Sequence, residues 1–148
     1  MTHLKHQRRD ERGAALLEFA LVFGIFVFVL YGLIAYGMML SLKNSVTHAA
    51  AEGARAAIGV TSGDADHNGV DDRTDAAVAR VKSSLNWLGA SKVNATTITV
   101  TYPSSCPTSC IDVKISYPYD SQPLVPPAPG LGLVTPSSIG SEAVVALS

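Results

Sequence analysis

The sequence predicts an α+β protein: a long N-terminal transmembrane α-helix, then a small exported domain with one helix and a short antiparallel sheet. Three observations predict it. Residues 19–42 run without a single charge behind a basic lead-in. From Lys43 to Ile58 the chain is rich in alanine and free of proline, so the helix can continue beyond the apolar run. Farther on, apolar residues follow first the helical period and then, from Thr97, a period of two. The implied layout is a cytoplasmic leader over 1–13, a helix over 14–58 that spans the membrane at 19–42, and an extracytoplasmic domain over 59–148.

The chain has 148 residues and a net charge of −1. Residues 1–13 contribute +2 and the remainder −3. Basic residues bunched before an apolar helix predict a cytoplasmic N-terminus, a single pass through the inner (cytoplasmic) membrane and an exported C-terminal part. Lys and Arg are scattered singly after Lys43, which argues against a nucleic-acid surface. The stretch beyond Ile58 is long enough for a small core only.

The apolar run decides the first element. Its 24 residues, Phe19 to Leu42, would span roughly 36 Å as a helix, enough to cross a hydrocarbon core of about 30 Å with some tilt. That is too long for the apolar part of an ordinary signal peptide, and the alanines at 49–51 lie well past its end. Glu18 is the anomaly, since a carboxylate one turn into an apolar helix costs free energy unless it is paired or lies at headgroup depth. Arg12 or lipid could neutralise it there. Cleavage between Gly13 and Ala14 offers another answer: the new α-amino group would stand four residues before Glu18 and could pair with it, or with Glu18 of a neighbouring subunit.

The run G-A-A-L-L-E-F from Gly13 to Phe19 resembles the processing site of type IV prepilins, which a membrane aspartate protease, the prepilin peptidase, cuts after the glycine. Together with Y-G-M-M-L-S-L-K-N-S-V-T-H-A-A-A-E-G-A-R-A-A, residues 12–58 resemble the TadE-like pseudopilins of the tight-adherence (Flp) pilus. Major Flp pilins are little more than the helix and commonly carry Tyr where this chain has Phe19; TadG-type relatives carry a much larger domain. A TadF-like minor pilin is the nearest alternative. The resemblance implies processing at Gly13 and Ala14 and a role for Glu18 and Phe19 in subunit assembly. It implies as partners the prepilin peptidase, other pilin subunits, the assembly platform and the lipid bilayer, with a final location in the membrane or in a surface pilus.

Beyond the bilayer, Val46, Ala49, Ala50, Gly53 and Ala57 fall at helical spacing. Their small side chains suit close packing against a partner helix or the chain's own domain. Glu52 and Arg55 stand three apart and can pair on the surface.

Residues 59–75 form a loop containing D-A-D-H-N-G-V-D-D-R-T-D. Oxygen donors fall at Asp64, Asp66, Asn68, the carbonyl of Val70, Asp72 and Asp75, with Gly69 permitting the turn. That spacing resembles a calcium loop of the EF-hand or dockerin type, with Asp where position 12 usually has Glu and with no second loop. The plain alternative is a solvated acidic turn. Calcium would act here as a stabilising ion, and no other cofactor is implied.

Thr74 or Asp75 can cap the next helix, about 75–88, whose apolar stripe is Val78, Val81, Leu85 and Leu88, with Trp87 near its end. Thr97–Tyr102 then alternates, with Ile98, Val100 and Tyr102 on one face. Ile111–Tyr117 alternates likewise, with Ile111, Val113, Ile115 and Tyr117 together. Between them lie Cys106 and Cys110, and an oxidising compartment makes a disulfide the default. Residues 120–138 are rich in Pro, Gly and Ser and form a loop or arm, in which Leu124, Val125, Leu131, Leu133 and Val134 could seat on the domain or on a partner. Ala143–Leu147 can add a last short strand.

No P-loop, G-x-S-x-G, HExxH or GxGxxG is present, and the four histidines are dispersed, so no enzymatic role is expected. Two rival classes stand beside the pilin reading. One is a permanently membrane-anchored exported binding domain; the other is a calcium-dependent adhesive module on a tether.

Overall fold

A computed structural model describes residues 4–65, 67–104, 106, 109–126 and 135–147, with side chains described from residue 13 onward. The chain divides into two units, Met1–Gly37 and Met38–Ser148. Its elements are α1 (Leu4–Ile58), α2 (Asp72–Ser84), a 3-10 turn (Asn86–Leu88), α3 (Ala90–Ala95), β1 (Thr97–Thr101), β2 (Cys110–Tyr117) and β3 (Ile139–Ala146). The architecture is α+β, with a long apolar N-terminal helix followed by a helix and a three-stranded antiparallel sheet.

In the first unit, α1 turns its apolar side chains outward: Leu16, Phe19, Val22, Phe26 and Leu33 are all exposed. The helix is long and apolar enough to cross a membrane. It begins at Leu4, before the Gly13–Ala14 bond, because nothing from Leu4 to Gly13 breaks a helix.

The second unit has two layers. The sheet runs in the order β1-β2-β3, so β2 is central, pairing with β3 along its whole length and with β1 over Asp112–Ser116. Ile111, Val113, Ile115 and Tyr117 of β2 point to one face and are fully buried. That face is covered by the last third of α1 and by α2, through Leu42, Val46, Ala49, Ala50, Ala54, Ala57, Ala77, Val81 and Leu85. The opposite face is polar and carries Thr97, Thr99, Lys114, Ser116 and Glu142.

The small residues of α1 are used for close approach. A Cβ on Gly53 would come within 2.6 Å of Val81 Cγ2, 3.2 Å of the Ala77 carbonyl and 3.5 Å of Val113 Cγ1. Only glycine lets α1 sit this deep between α2 and β2. Across the seam Glu52 accepts from the Arg80 guanidinium at 2.9 Å and from Arg55 at 3.3 Å. These cations, Arg80 foremost through its hydrogen bond and its charge, hold the Glu52 carboxyl below its ordinary range.

Three elements differ from the sequence expectations. The helix expected at 75–88 starts at Asp72, because neither Thr74 nor Asp75 caps it. Asp71 does, its carboxylate accepting from Arg73 N at 2.9 Å, while the Thr74 hydroxyl meets Tyr102 Oη at 3.0 Å. The same helix ends at Ser84 and gives way to the 3-10 turn; Val81, Leu85 and Leu88 are buried as a stripe, Val78 is half-buried and Trp87 is exposed. The last strand begins at Ile139 rather than Ala143, since pairing with β2 extends back to Tyr117↔Ile139. β1 ends at Thr101, and Tyr102 just beyond it is exposed, with its hydroxyl reaching Asp71 and Thr74 at the start of α2. In the Pro-rich arm Leu124 packs partly on the core. The expectations for Leu131, Leu133 and Val134 fall outside the described residues.

Candidate functional site

Three groups of residues merit attention: the start of the apolar helix, the acidic loop, and the disulfide with the cleft beside it.

Gly13, Ala14, Glu18 and Phe19 all lie on α1 and are exposed. The Phe19 ring stacks on Phe23, one turn along, with centroids 5.7 Å apart. Among the described residues no cation pairs with Glu18. A helix start whose side chains face outward can be reached by a protease or by a neighbouring helix, and a carboxylate there is available to a cation brought by either.

The acidic loop is wired by its own amides. The Asp72 amide donates to the Gly63 carbonyl at 2.8 Å and closes the loop at its base. Asp64 Oδ2 accepts from Gly69 N at 3.0 Å, and both Asp72 carboxylate oxygens accept from Ala65 N. Asn68 Oδ1 accepts from Val70 N, while its Nδ2 donates to Asp75 Oδ2; both bonds are 2.7 Å. Gly69 has φ +80°, the left-handed conformation that glycine adopts without strain. His67, at φ 58°, is held in the same region by its own turn, with Nδ1 3.1 Å from the Ala65 carbonyl. Asp66 lies outside the described residues. Among the described ones, no group of three or more His, Cys, Asp or Glu side chains is arranged to hold a metal. Asp72 and Asp75 occupy the first turn of α2, where negative charge complements the helix dipole.

Cys106 and Cys110 form a disulfide, with Cα atoms 6.3 Å apart. Beside it opens a cleft of about 440 Å³ whose lining includes Asp71, Arg73, Tyr102 and Leu147. Asp71 joins α2 to the end of β1 there, since it caps α2 and its Oδ1 also accepts from Tyr102 Oη at 3.3 Å. Partial desolvation of the hydroxyl end first, and the neighbouring Asp71 charge, push the Tyr102 hydroxyl above its ordinary range although the ring is exposed. Arg73 Nε donates to the Val60 carbonyl at 2.9 Å and ties the end of α1 to the start of α2.

Sequence reasoning missed Asp71, Arg73 and Tyr102 as a group. One signal was legible: with Asp71 as cap, Asp72 and Asp75 fall in the first helical turn, the pattern of a helix start. The partnership with Tyr102 spans 31 residues and has no local signature.

No curated protein and no solved structure matches the chain. A family model does match: residues 13–55 fit the family described as TadE-like protein. The matched stretch covers the exposed apolar part of α1 and most of the part packed on the sheet. By that match, the chain carries a TadE-like segment on a helix long and apolar enough to cross a membrane.

Proposed function

We propose that the chain is a minor pilin or pseudopilin subunit of a tight-adherence (Flp) pilus, acting in assembly, initiation or tip formation. The observation that carries this reading is the exposure of most of the large apolar side chains from Leu16 to Leu40 on a TadE-like helix. In water such a surface is untenable. It suits lipid first and neighbouring pilin helices afterwards, since burying apolar area against either yields roughly 25 cal/mol per Å². In this reading the prepilin peptidase cuts between Gly13 and Ala14 on the cytoplasmic side, and the exported domain lies across the membrane. The freed amine is then offset by Glu18, which sets the axial register between subunits, with Phe19 packing beside it.

The test is mass spectrometry of the mature N-terminus, with and without prepilin peptidase activity. A peptide beginning at Ala14 only when the peptidase is present supports the reading. An intact N-terminus in both samples turns the chain into a permanently anchored binding domain, the reading favoured by the cleft between Asp71, Arg73, Tyr102 and the disulfide. For Glu18 the expected result is that Glu18→Ala abolishes filament incorporation and leaves the fold of the Met38–Ser148 unit unchanged. Normal incorporation would remove the role given to the carboxylate.

Calcium in the 64–75 loop belongs to the same proposal as a stabilising ion only. Asp64, Asn68, Asp72 and Asp75 already stand around one tight turn, and the ion would replace some of the amide contacts they now accept. The expected result is a higher melting temperature with Ca²⁺ than with a chelator; identical melting curves would dispose of the ion.

A further inference from the structure

The geometry points to a bilayer-seated end of the Met38–Ser148 unit, with the Trp87 indole inserted among the lipid headgroups. This rests on the reading of α1 as membrane-spanning and adds a second membrane contact, made by the domain itself.

Trp87 is the chain's one tryptophan. It lies on the 3-10 turn between Leu85 and Leu88, both buried, yet is itself 55% exposed. An indole is a large apolar body with a single N–H donor, and such a side chain gains most where one side is apolar and the other wet.

Position supplies the second argument. Contacts between α1 and α2 run in opposite directions along the two helices: Val60 with Arg73, Gly53 with Ala77 and Val81, Glu52 with Arg80. Continued past Ser84 at equal rise, the trend sets Asn86–Leu88 beside the Lys43–Val46 turn of α1. Residues 38–42 are the last of the uncharged run, with Met38 and Leu40 exposed. On the membrane-spanning reading of α1, chain connectivity makes this the end of the unit that adjoins the bilayer, and the extrapolated trend puts Trp87 about one helical turn along the α1 axis past the run's last residue. Lys43, the first charge after the run, donates from Nζ to the Gly140 carbonyl and brings the start of β3 to the same end.

The opposite end of the unit is unlike it. There the acidic loop places Asp64, Asp71, Asp72 and Asp75 in the connection from α1 to α2 and around the start of α2. These carboxylates suit water, so only the Trp87 end suits lipid.

A single tryptophan makes the test direct and free of mutation. The full chain is reconstituted into phosphatidylcholine vesicles, floated, and read by Trp87 fluorescence with lipids spin-labelled near the headgroup or deep in the acyl chain. The expected result is a blue-shifted emission, quenched more strongly by the shallow label than by the deep one and shielded from acrylamide. Floated protein with a fully hydrated indole, open to acrylamide and indifferent to both labels, would overturn the seat and leave the anchor standing. Stronger quenching by the deep label would also overturn it, since the indole would then lie in hydrocarbon. Protein that fails to float removes the membrane anchor itself, and the seat with it.

Discussion

Two stretches of one helix meet opposite surroundings. From Gly13 to Gly37, α1 carries leucine, phenylalanine, valine and isoleucine, nearly all exposed, and a Cβ added at Gly24, Gly32 or Gly37 would meet nothing within 4 Å. From Leu42 to Ala57 the inward side chains are smaller, with alanine at four positions, yet they are fully buried, and Gly53 has no room for one more carbon. The bulkier, more apolar stretch is the unpacked one. Burial within a domain depends on shape as well as hydrophobicity: alanine and glycine allow a helix to approach a sheet closely, whereas large side chains all around a helix suit lipid or other subunits.

The sharpest way to break this comparison is to put the same large side chain into both stretches. Gly53→Leu drives new atoms into Val81, Val113 and the Ala77 carbonyl and is expected to destabilise the unit by about 3 kcal/mol, the upper end of ordinary overpacking. Gly24→Leu is expected to leave the unit's unfolding transition unmoved. Equal melting temperatures for the two variants, read by circular dichroism, would mean that the two stretches do not differ as described.

A smaller effect is expected from the cross-link. Replacing Cys106 and Cys110 together by serine releases a very short loop and should cost the packed unit roughly 2 kcal/mol in the chain-entropy model. The loss should be confined to the second unit, where both cysteines lie. A denaturant midpoint that does not fall would show that the loop is held by β2 and β3 alone.

The smallest effect concerns the seam between α1 and α2. Because Arg80, and after it Arg55, lower the Glu52 pKa from 4.5, the contribution of this pair is fully present above that value and is lost as the pH falls through the lowered one. Arg80→Ala should therefore reduce the melting temperature slightly at neutral pH. The difference from wild type should shrink in strong acid and in high salt, as befits an exposed pair. A difference that grew on acidification would reverse the assigned sign.

Much of this was legible from local spacing. The uncharged run from Phe19 to Leu42 and the proline-free alanines after it read as helix and form one. The alternation Ile111, Val113, Ile115, Tyr117 read as a strand with one buried face, and all four are buried. The start of α2 was displaced because several Asp and Thr residues crowd residues 71–75, and any of them can cap. The choice of Asp71 depends on Tyr102 taking the Thr74 hydroxyl. The first half of β3 was hidden because Ile139 to Ala143 has no alternation of its own and takes its extended form from the edge of β2. The short α3 likewise left no trace in the spacing.

The sequence by itself determined the apolar helix, the helix-then-strand order of the domain, the acidic turn and the TadE-like segment, because each is written in neighbouring residues at a fixed period. The tertiary structure alone decided that the last third of α1 packs on this chain's own sheet rather than on another helix. It also decided that Asp71 joins α2 to Tyr102, and that Trp87 is left exposed between the buried Leu85 and Leu88. Those outcomes depend on which distant surfaces fit closely enough to exclude water, and local periodicity encodes how a segment folds without naming the partner it will meet.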